Sequence, residues 1–150
     1  MHIHPARPAD HADLLALWER SVRATHTFLA EEDVAFFRPL VAEAFASGAL
    51  ELWVLAATAD APPLGFLGLA GDRIEALFLD PAARGRGGGR RLVAHAQALR
   101  GGALELDVNE QNLAARGFYE RLGFVVVGRS PLDGTGRPYP LLHMRREAAG

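Results

Sequence analysis

The 150-residue chain contains neither cysteine nor lysine. The first absence rules out disulfides, thiolate metal ligands and a cysteine nucleophile. The second makes every one of the 16 basic side chains an arginine. It also rules out a nucleotide P-loop, which must end in Gly-Lys-Ser/Thr. An excess of one charge is missing too: 16 basic against 18 acidic residues leave −2, so nothing global attracts nucleic acid or an anionic membrane. The most apolar stretch, residues 50–59, includes Glu51 and falls far short of the ~20 residues of a membrane-spanning helix. The first ten residues, MHIHPARPAD, have no apolar run and carry prolines, unlike a signal peptide. His2, His4 and His11 lack an acidic partner at ligand spacing, so no metal site is expected. What remains is 49% hydrophobic and 23% charged, the proportions of a soluble globular domain. A single cytoplasmic domain spanning residues 1–150 is expected.

Periodicity orders the chain. Ile3–Ala6 reads as a short strand, and the apolar spacing Leu14, Leu17, Trp18, Val22 as a helix with Asp10 as N-cap. A break over Thr25–Ala30 precedes a second helix that starts at Glu31 and stops at Gly48. The period then changes. Leu50–Ala57, Leu64–Ala70 and Ile74–Leu79 read as strands joined by tight turns. The third of them is apolar except for Glu75, which predicts a central, buried strand. A helix through Leu92, Val93, Ala96 and Leu99 closed by Gly101-Gly102, a strand through Leu104, Leu106 and Val108, a helix over Leu113–Leu122 ending at Gly123 and two strands, Phe124–Val127 and Leu141–Met144, complete one mixed α/β sheet.

Positive charge, balanced overall, is concentrated locally. Arg84, Arg86, Arg90 and Arg91 fall in the run Leu79-Asp-Pro-Ala-Ala-Arg84-Gly85-Arg86-Gly87-Gly88-Gly89-Arg90-Arg91. A strand, a glycine turn and a helix start bring backbone N–H groups and the positive end of a helix dipole to one place, which suits a phosphate. The dinucleotide pattern G-x-G-x-x-G fails, because its last glycine would fall on Arg90 or Leu92.

The spacing that is met is Arg-x-x-Gly-x-Gly, at Arg84, Gly87 and Gly89. It resembles the acetyl-CoA pyrophosphate signature of the GNAT acetyltransferase superfamily. Asn112-x-x-Ala115-x-x-Phe118-Tyr119-x-x-x-Gly123-Phe124 is similar to the second motif of that superfamily. The runs SVRATHTFL (21–29), VNEQN (108–112) and GRPYPLL (136–142) look like its YjaB-like bacterial branch. The resemblance implies a mostly antiparallel sheet of about seven strands, splayed between the fourth and fifth, with about four helices.

It also implies a function: direct transfer of an acetyl group from acetyl-CoA to a primary amine, in a ternary complex and without an acyl-enzyme. The backbone of Leu77, Phe78 and Leu79 is expected to pair with the pantetheine arm, with the Leu77 or Phe78 N–H holding the thioester oxygen. Arg84, Gly85, Arg86, Gly87, Gly88, Gly89 and Arg90 are expected to hold the pyrophosphate, and Asn112 to touch the cofactor. Tyr119 takes the place of the family's tyrosine beside the departing sulfur. A phenol at pKa ~10 opposite a thiol at ~8.5 is an acid unwilling by roughly 2 kcal/mol, so it donates a hydrogen bond and completes transfer as charge builds. Freeing a lysine-like amine at neutral pH costs roughly 4.6 kcal/mol. Glu75 is the first candidate base, sharing a strand face with Leu77 and Leu79 and made basic by burial there, and Glu110 the second. Asn109 reads as a helix N-cap, while His26 and Phe28 are expected at the acceptor site. The acceptor is open: a protein lysine or N-terminus, an amino acid, a polyamine or an antibiotic. Monomer and homodimer are equally open. A silent acyl-CoA sensor is the competing reading, disfavoured because binding alone has no need of Tyr119.

Overall fold

The switch of period near residue 50 marks a real boundary in the computed structural model, which describes residues 1–148. Strand β1 (His2–Pro5) leads through a single 3-10 turn into α1 (His11–Thr25) and α2 (Glu31–Ser47). The sheet follows, with β2 (Glu51–Ala56), β3 (Pro63–Ala70) and β4 (Arg73–Leu79), then α3 (Gly88–Arg100), β5 (Leu104–Asn109), α4 (Leu113–Arg121), β6 (Val125–Ser130) and β7 (Leu141–Arg146). Glycine stops three of the four helices as the sequence predicts. Gly48 and Gly101 cap α2 and α3 in the left-handed region, and Gly123, at φ 93°, turns the chain out of α4.

The seven strands lie in the order β1-β2-β3-β4-β5-β7-β6, antiparallel except for β4 and β5. Apolar side chains on the two sheet faces form two cores. Leu14, Leu17, Trp18 and Val22 of α1 join Val34, Phe45, Val54 and Phe66 on one side. On the other, Leu92, Val93 and Ala96 of α3 pack with Leu55, Leu67, Leu106, Tyr119 and Phe124. Leu14 and Leu17 are fully enclosed, so truncating either to Ala costs about 2–5 kcal/mol.

Two sequence expectations fail here for identifiable reasons. Asp10 occupies the N-cap position of α1 without capping it. Its carboxylate turns back to accept from the Arg7 backbone N–H at 2.8 Å, closing the preceding 3-10 turn instead. Strand β4 is central, but only Ile74 in it is buried; Ala76 to Leu79 are half-buried and Glu75 is exposed. The cause is the parting of the sheet. β4 and β5 pair only at Arg73↔Glu105 and Ile74↔Leu106, after which β4 loses its neighbour on that side and faces a cleft.

Candidate active site

The turn that follows β4 is held from two directions. Asp80 accepts from the Ala82 backbone N–H at 3.0 Å through one carboxylate oxygen and from Arg20 of α1 at 2.7 Å through the other. The bond from Ala82 and the Arg20 charge hold its carboxyl below the usual aspartate range. Gly85 and Gly87 then take φ of 77° and 79°, which side chains rarely adopt. Gly87 is the N-cap of α3, and the first bond back into the helix runs from Arg91 N–H to its carbonyl at 3.1 Å. The N–H groups of Gly88, Gly89 and Arg90 are thus the unpaired donors of the first turn, at the positive end of the dipole.

The glycines are not equivalent. A Cβ on Gly87 would meet nothing within 4 Å; its space is the cleft itself. A Cβ on Gly88 would lie 2.7 Å from a Leu55 methyl, and one on Gly89 3.0 Å from the Phe118 ring. Those two residues are small because α3 packs tightly on the sheet and on α4, while their N–H groups still face outward.

The cleft has a volume of about 670 Å³ and runs from this turn along β4 to the start of α4. It brings together Leu77, Phe78, Leu79, Arg84, Gly85, Gly87, Gly88, Gly89, Arg90, Asn112 and Tyr119, together with Glu75 and His26. Arg86 is exposed and does not line it. Pairing to β3 decides which backbone groups of β4 are free. Asp80 N–H donates to Leu64 C=O of the β3 strand at 2.8 Å. Alternation along an antiparallel pair then turns the Phe78 N–H toward β3, and the Leu77 and Leu79 N–H groups toward the open edge. Of the two oxyanion donors expected, Leu77 has the right orientation and Phe78 does not.

Glu75 departs from its expectation. The β3–β4 register slips between Gly68↔Ala76 and Leu69↔Ile74, which makes Glu75 the extra residue of a bulge. Simple alternation with Leu77 and Leu79 is broken, and it is Ile74 that packs in their cluster. Glu75 stays exposed and accepts from Arg73 Nε at 3.1 Å, so the burial meant to make it basic is absent. Glu110 is engaged elsewhere, in a two-pronged pair with Arg129 (2.5 and 3.1 Å) that holds its carboxyl low.

At the far wall Asn112, not Asn109, caps α4: its Oδ1 accepts from Ala115 N–H at 3.1 Å. Asn109 is the last residue of β5 and lines the cleft. Tyr119 is buried between Phe118 and Phe124, edge-to-face with both. Among the described residues nothing accepts from its hydroxyl, and burial pushes its pKa well above the usual phenol range.

A second cavity of about 250 Å³ meets the first at His26, Phe78 and Asn109. Trp18, Val22, Leu29, Phe37, Val41 and Leu141 make it an apolar slot, with Asp133 and Tyr139 at its polar side. Phe28 lines neither cavity, but lies 5.4 Å from the His26 ring and 5.9 Å from that of Tyr139. The loop before β7 is fastened over this slot. Asp33 of α2 accepts from Arg137 Nε at 2.9 Å and from the Tyr139 hydroxyl, and the Arg137 guanidinium lies 3.5 Å over the Phe36 ring. Sequence reading missed this clamp, since its partners are 104 and 106 residues apart and no local spacing signals them.

An anion cradle on a helix start, a splayed pair of parallel strands and a buried tyrosine facing the splay are the parts an acyl-CoA enzyme needs. Residues 26–145 match the family model described as acetyltransferase (GNAT) domain. The chain belongs to the GNAT acetyltransferase family. This GNAT enzyme is 44% identical over 144 residues to the peptidyl-lysine N-acetyltransferase YjaB of Salmonella typhimurium, covering 96% of its own length and 97% of that protein. Its fold is that of the apo-form YjaB from Escherichia coli solved in solution, with a TM-score of 0.87, 43% identity and 99% and 98% of the two chains covered. The PaiA N-acetyltransferase of Thermoplasma acidophilum, solved with coenzyme A, shares the fold at a TM-score of 0.72 and 19% identity, over 98% and 99% of the chains. Among the described residues, no helix is long and apolar enough to cross a membrane, and no three His, Asp or Glu residues cluster as metal ligands would.

Proposed function

We propose that this acetyltransferase moves the acetyl group of acetyl-CoA directly to the ε-amine of lysine side chains in other proteins. The observation that carries the reading is the likeness to peptidyl-lysine N-acetyltransferase YjaB across 96% of the chain. The acceptor slot supports it: an apolar passage with Asp133 at its side suits four methylenes that end in a cation. The pyrophosphate sits on the free N–H groups of Gly88, Gly89 and Arg90, with Arg84 beside it. The pantetheine arm lies along the open edge of β4 as an added strand, with Asn112 on its other side.

In this geometry the Leu77 N–H donates to the thioester oxygen as it becomes an oxyanion. The amine attacks from the second cavity, the C–N bond forms, and the C–S bond breaks toward Tyr119. Its raised pKa makes the phenol a weak acid, so it donates a hydrogen bond to sulfur and hands over the proton only late. The same dry surroundings disfavour a free thiolate, which keeps donor and acceptor matched. Coenzyme A release from acetyl-CoA should be measured with single-lysine peptides blocked at the N-terminus, and with amino acids and polyamines. Release with the peptides at least tenfold above the small amines is expected. Release with small amines alone would move the acceptor out of the protein class.

A further inference from the structure

We infer that His26 is the base that accepts the proton of the attacking amine, through Nε2. The inference rests on the acetyltransferase reading above.

The tautomer is fixed by a short relay on α1. Ser21 and Thr25 are one helical turn apart, and the Thr25 hydroxyl donates its only proton to the Ser21 carbonyl at 2.7 Å. The same oxygen lies 2.8 Å from His26 Nδ1. Having given its proton away, it can only accept there, so a neutral His26 carries its proton on Nδ1. Nε2 is left with the lone pair and, among the described residues, has no protein partner. This is the arrangement by which an orienting group readies an imidazole to take a proton.

Position agrees with chemistry. His26 follows the last residue of α1, and its ring lies 6.5 Å from that of Phe78 and 5.4 Å from that of Phe28. With Phe78 and Asn109 it forms the junction of the two cavities, where an amine coming up the apolar slot reaches the β4 edge. Among the described residues no other imidazole lines either cavity, and the two carboxylates on the first cavity's wall are committed. Glu75 is paired with Arg73, and Asp107 with Arg73 and His143.

Burial, and then the Arg84 charge, push His26 down to about 4, so near neutral pH it is unprotonated and takes a proton only as C–N bond formation makes the attacking nitrogen acidic. The ionisable groups that line the two cavities it joins come from several elements. Arg84 stands on the glycine turn, Arg90 on α3, Tyr119 and Arg121 on α4, and Asp133 and Tyr139 on the loop before β7; β4 and β5 bring the paired Glu75 and Asp107. Arg84 is the one that opposes a proton on His26, and it is also the arginine of the pyrophosphate signature. The protons balance: the lysine ammonium gives one proton to solvent before attack, one leaves the nitrogen for Nε2 as the C–N bond forms, one leaves Tyr119 for sulfur, and His26 returns its proton through solvent to the tyrosinate.

His26→Asn tests this directly, because the Asn amide can replace the Nδ1–H bond to Thr25 while deleting Nε2. Acetyl-CoA affinity by calorimetry should stay within twofold of wild type, while kcat falls about 100-fold. In His26→Ala, added imidazole should restore at least tenfold of the lost kcat. Wild-type kcat in His26→Asn would overturn the assignment, as would a loss in both variants that imidazole does not relieve. A wild-type enzyme that binds acetyl-CoA but acetylates no amine would instead sink the acetyltransferase reading on which the inference rests.

Discussion

Replacing Gly87 with alanine separates the cofactor cradle from the fold, because its two effects can be measured apart. At φ 79° a Cβ is strained, at a cost of about 1–2 kcal/mol for an L-residue in the left-handed region. For 150 residues the unfolding entropy is about 0.3 kcal/mol/K, so Tm should drop by roughly 3–6 °C. Gly101 is a matched control. It has φ 74°, nothing within 4 Å of its Cβ, and a place at the opposite end of α3 from the cleft. Gly101→Ala should lose the same few degrees. The strain is present with and without ligand and by itself leaves affinity alone. Only in Gly87→Ala does the new methyl enter space the pyrophosphate needs, so acetyl-CoA should bind at least tenfold more weakly there, about 1.4 kcal/mol. The pair calls for titration calorimetry and thermal melts. Equal acetyl-CoA affinity in the two variants, with both melts lowered, would place the cofactor away from this turn.

Tyr119→Phe keeps the ring packed between Phe118 and Phe124 and removes only the hydroxyl. Acetyl-CoA binding should persist while turnover falls about 100-fold, and wild-type turnover would assign sulfur protonation to water. Asp33→Asn loosens the clamp on Arg137 and Tyr139; KM for a lysine peptide should rise severalfold with acetyl-CoA affinity unchanged, which steady-state kinetics will check. The bonds from Tyr139, then Arg137, hold Asp33 below its ordinary pKa of 3.8. A lowered folded-state pKa means stability that is full above the unfolded value and lost as pH falls, so the clamp should release only below about pH 4. Peptide KM at neutral pH should therefore be insensitive to pH through this group. Finally, the chain has no lysine, which leaves its α-amine as the one ordinary primary amine it offers. Incubated alone with acetyl-CoA, the untagged enzyme should gain at most one amide-linked acetyl group, at the N-terminal peptide by mass spectrometry. Two or more modified sites would show that non-amine acceptors are reached.

Elements and the glycine turn were legible because their signals are local. Gly48, Gly101 and Gly123 end helices for reasons contained in one residue's backbone freedom, and Arg84, Gly87 and Gly89 state a spacing. The errors came where a residue's surroundings depend on another strand. Alternation put Glu75 on the face of Leu77 and Leu79, but a bulge relative to β3 removes it. An apolar β4 looked buried, yet β5 leaves it after Ile74. Asn109 and Asn112 both precede α4, and only the bond to Ala115 distinguishes the cap. The clamp from Asp33 to Arg137 and Tyr139 joins segments far apart in sequence. The relay Ser21–Thr25–His26 lay within reach of sequence reading, since an i, i+4 pair sets the Thr25 hydroxyl against the Ser21 carbonyl.

That the two cavities form one active site, acetyl-CoA in the first and lysine in the second, is tested most directly with a bisubstrate ligand. A short peptide whose lysine ε-amine is joined through an acetyl bridge to the sulfur of coenzyme A should fill both cavities across His26, Phe78 and Asn109. Calorimetry should find it bound at least 100-fold more tightly than acetyl-CoA, in the range of ligands that span a transition state. Affinity no better than that of acetyl-CoA would mean that the slot is not where the lysine enters.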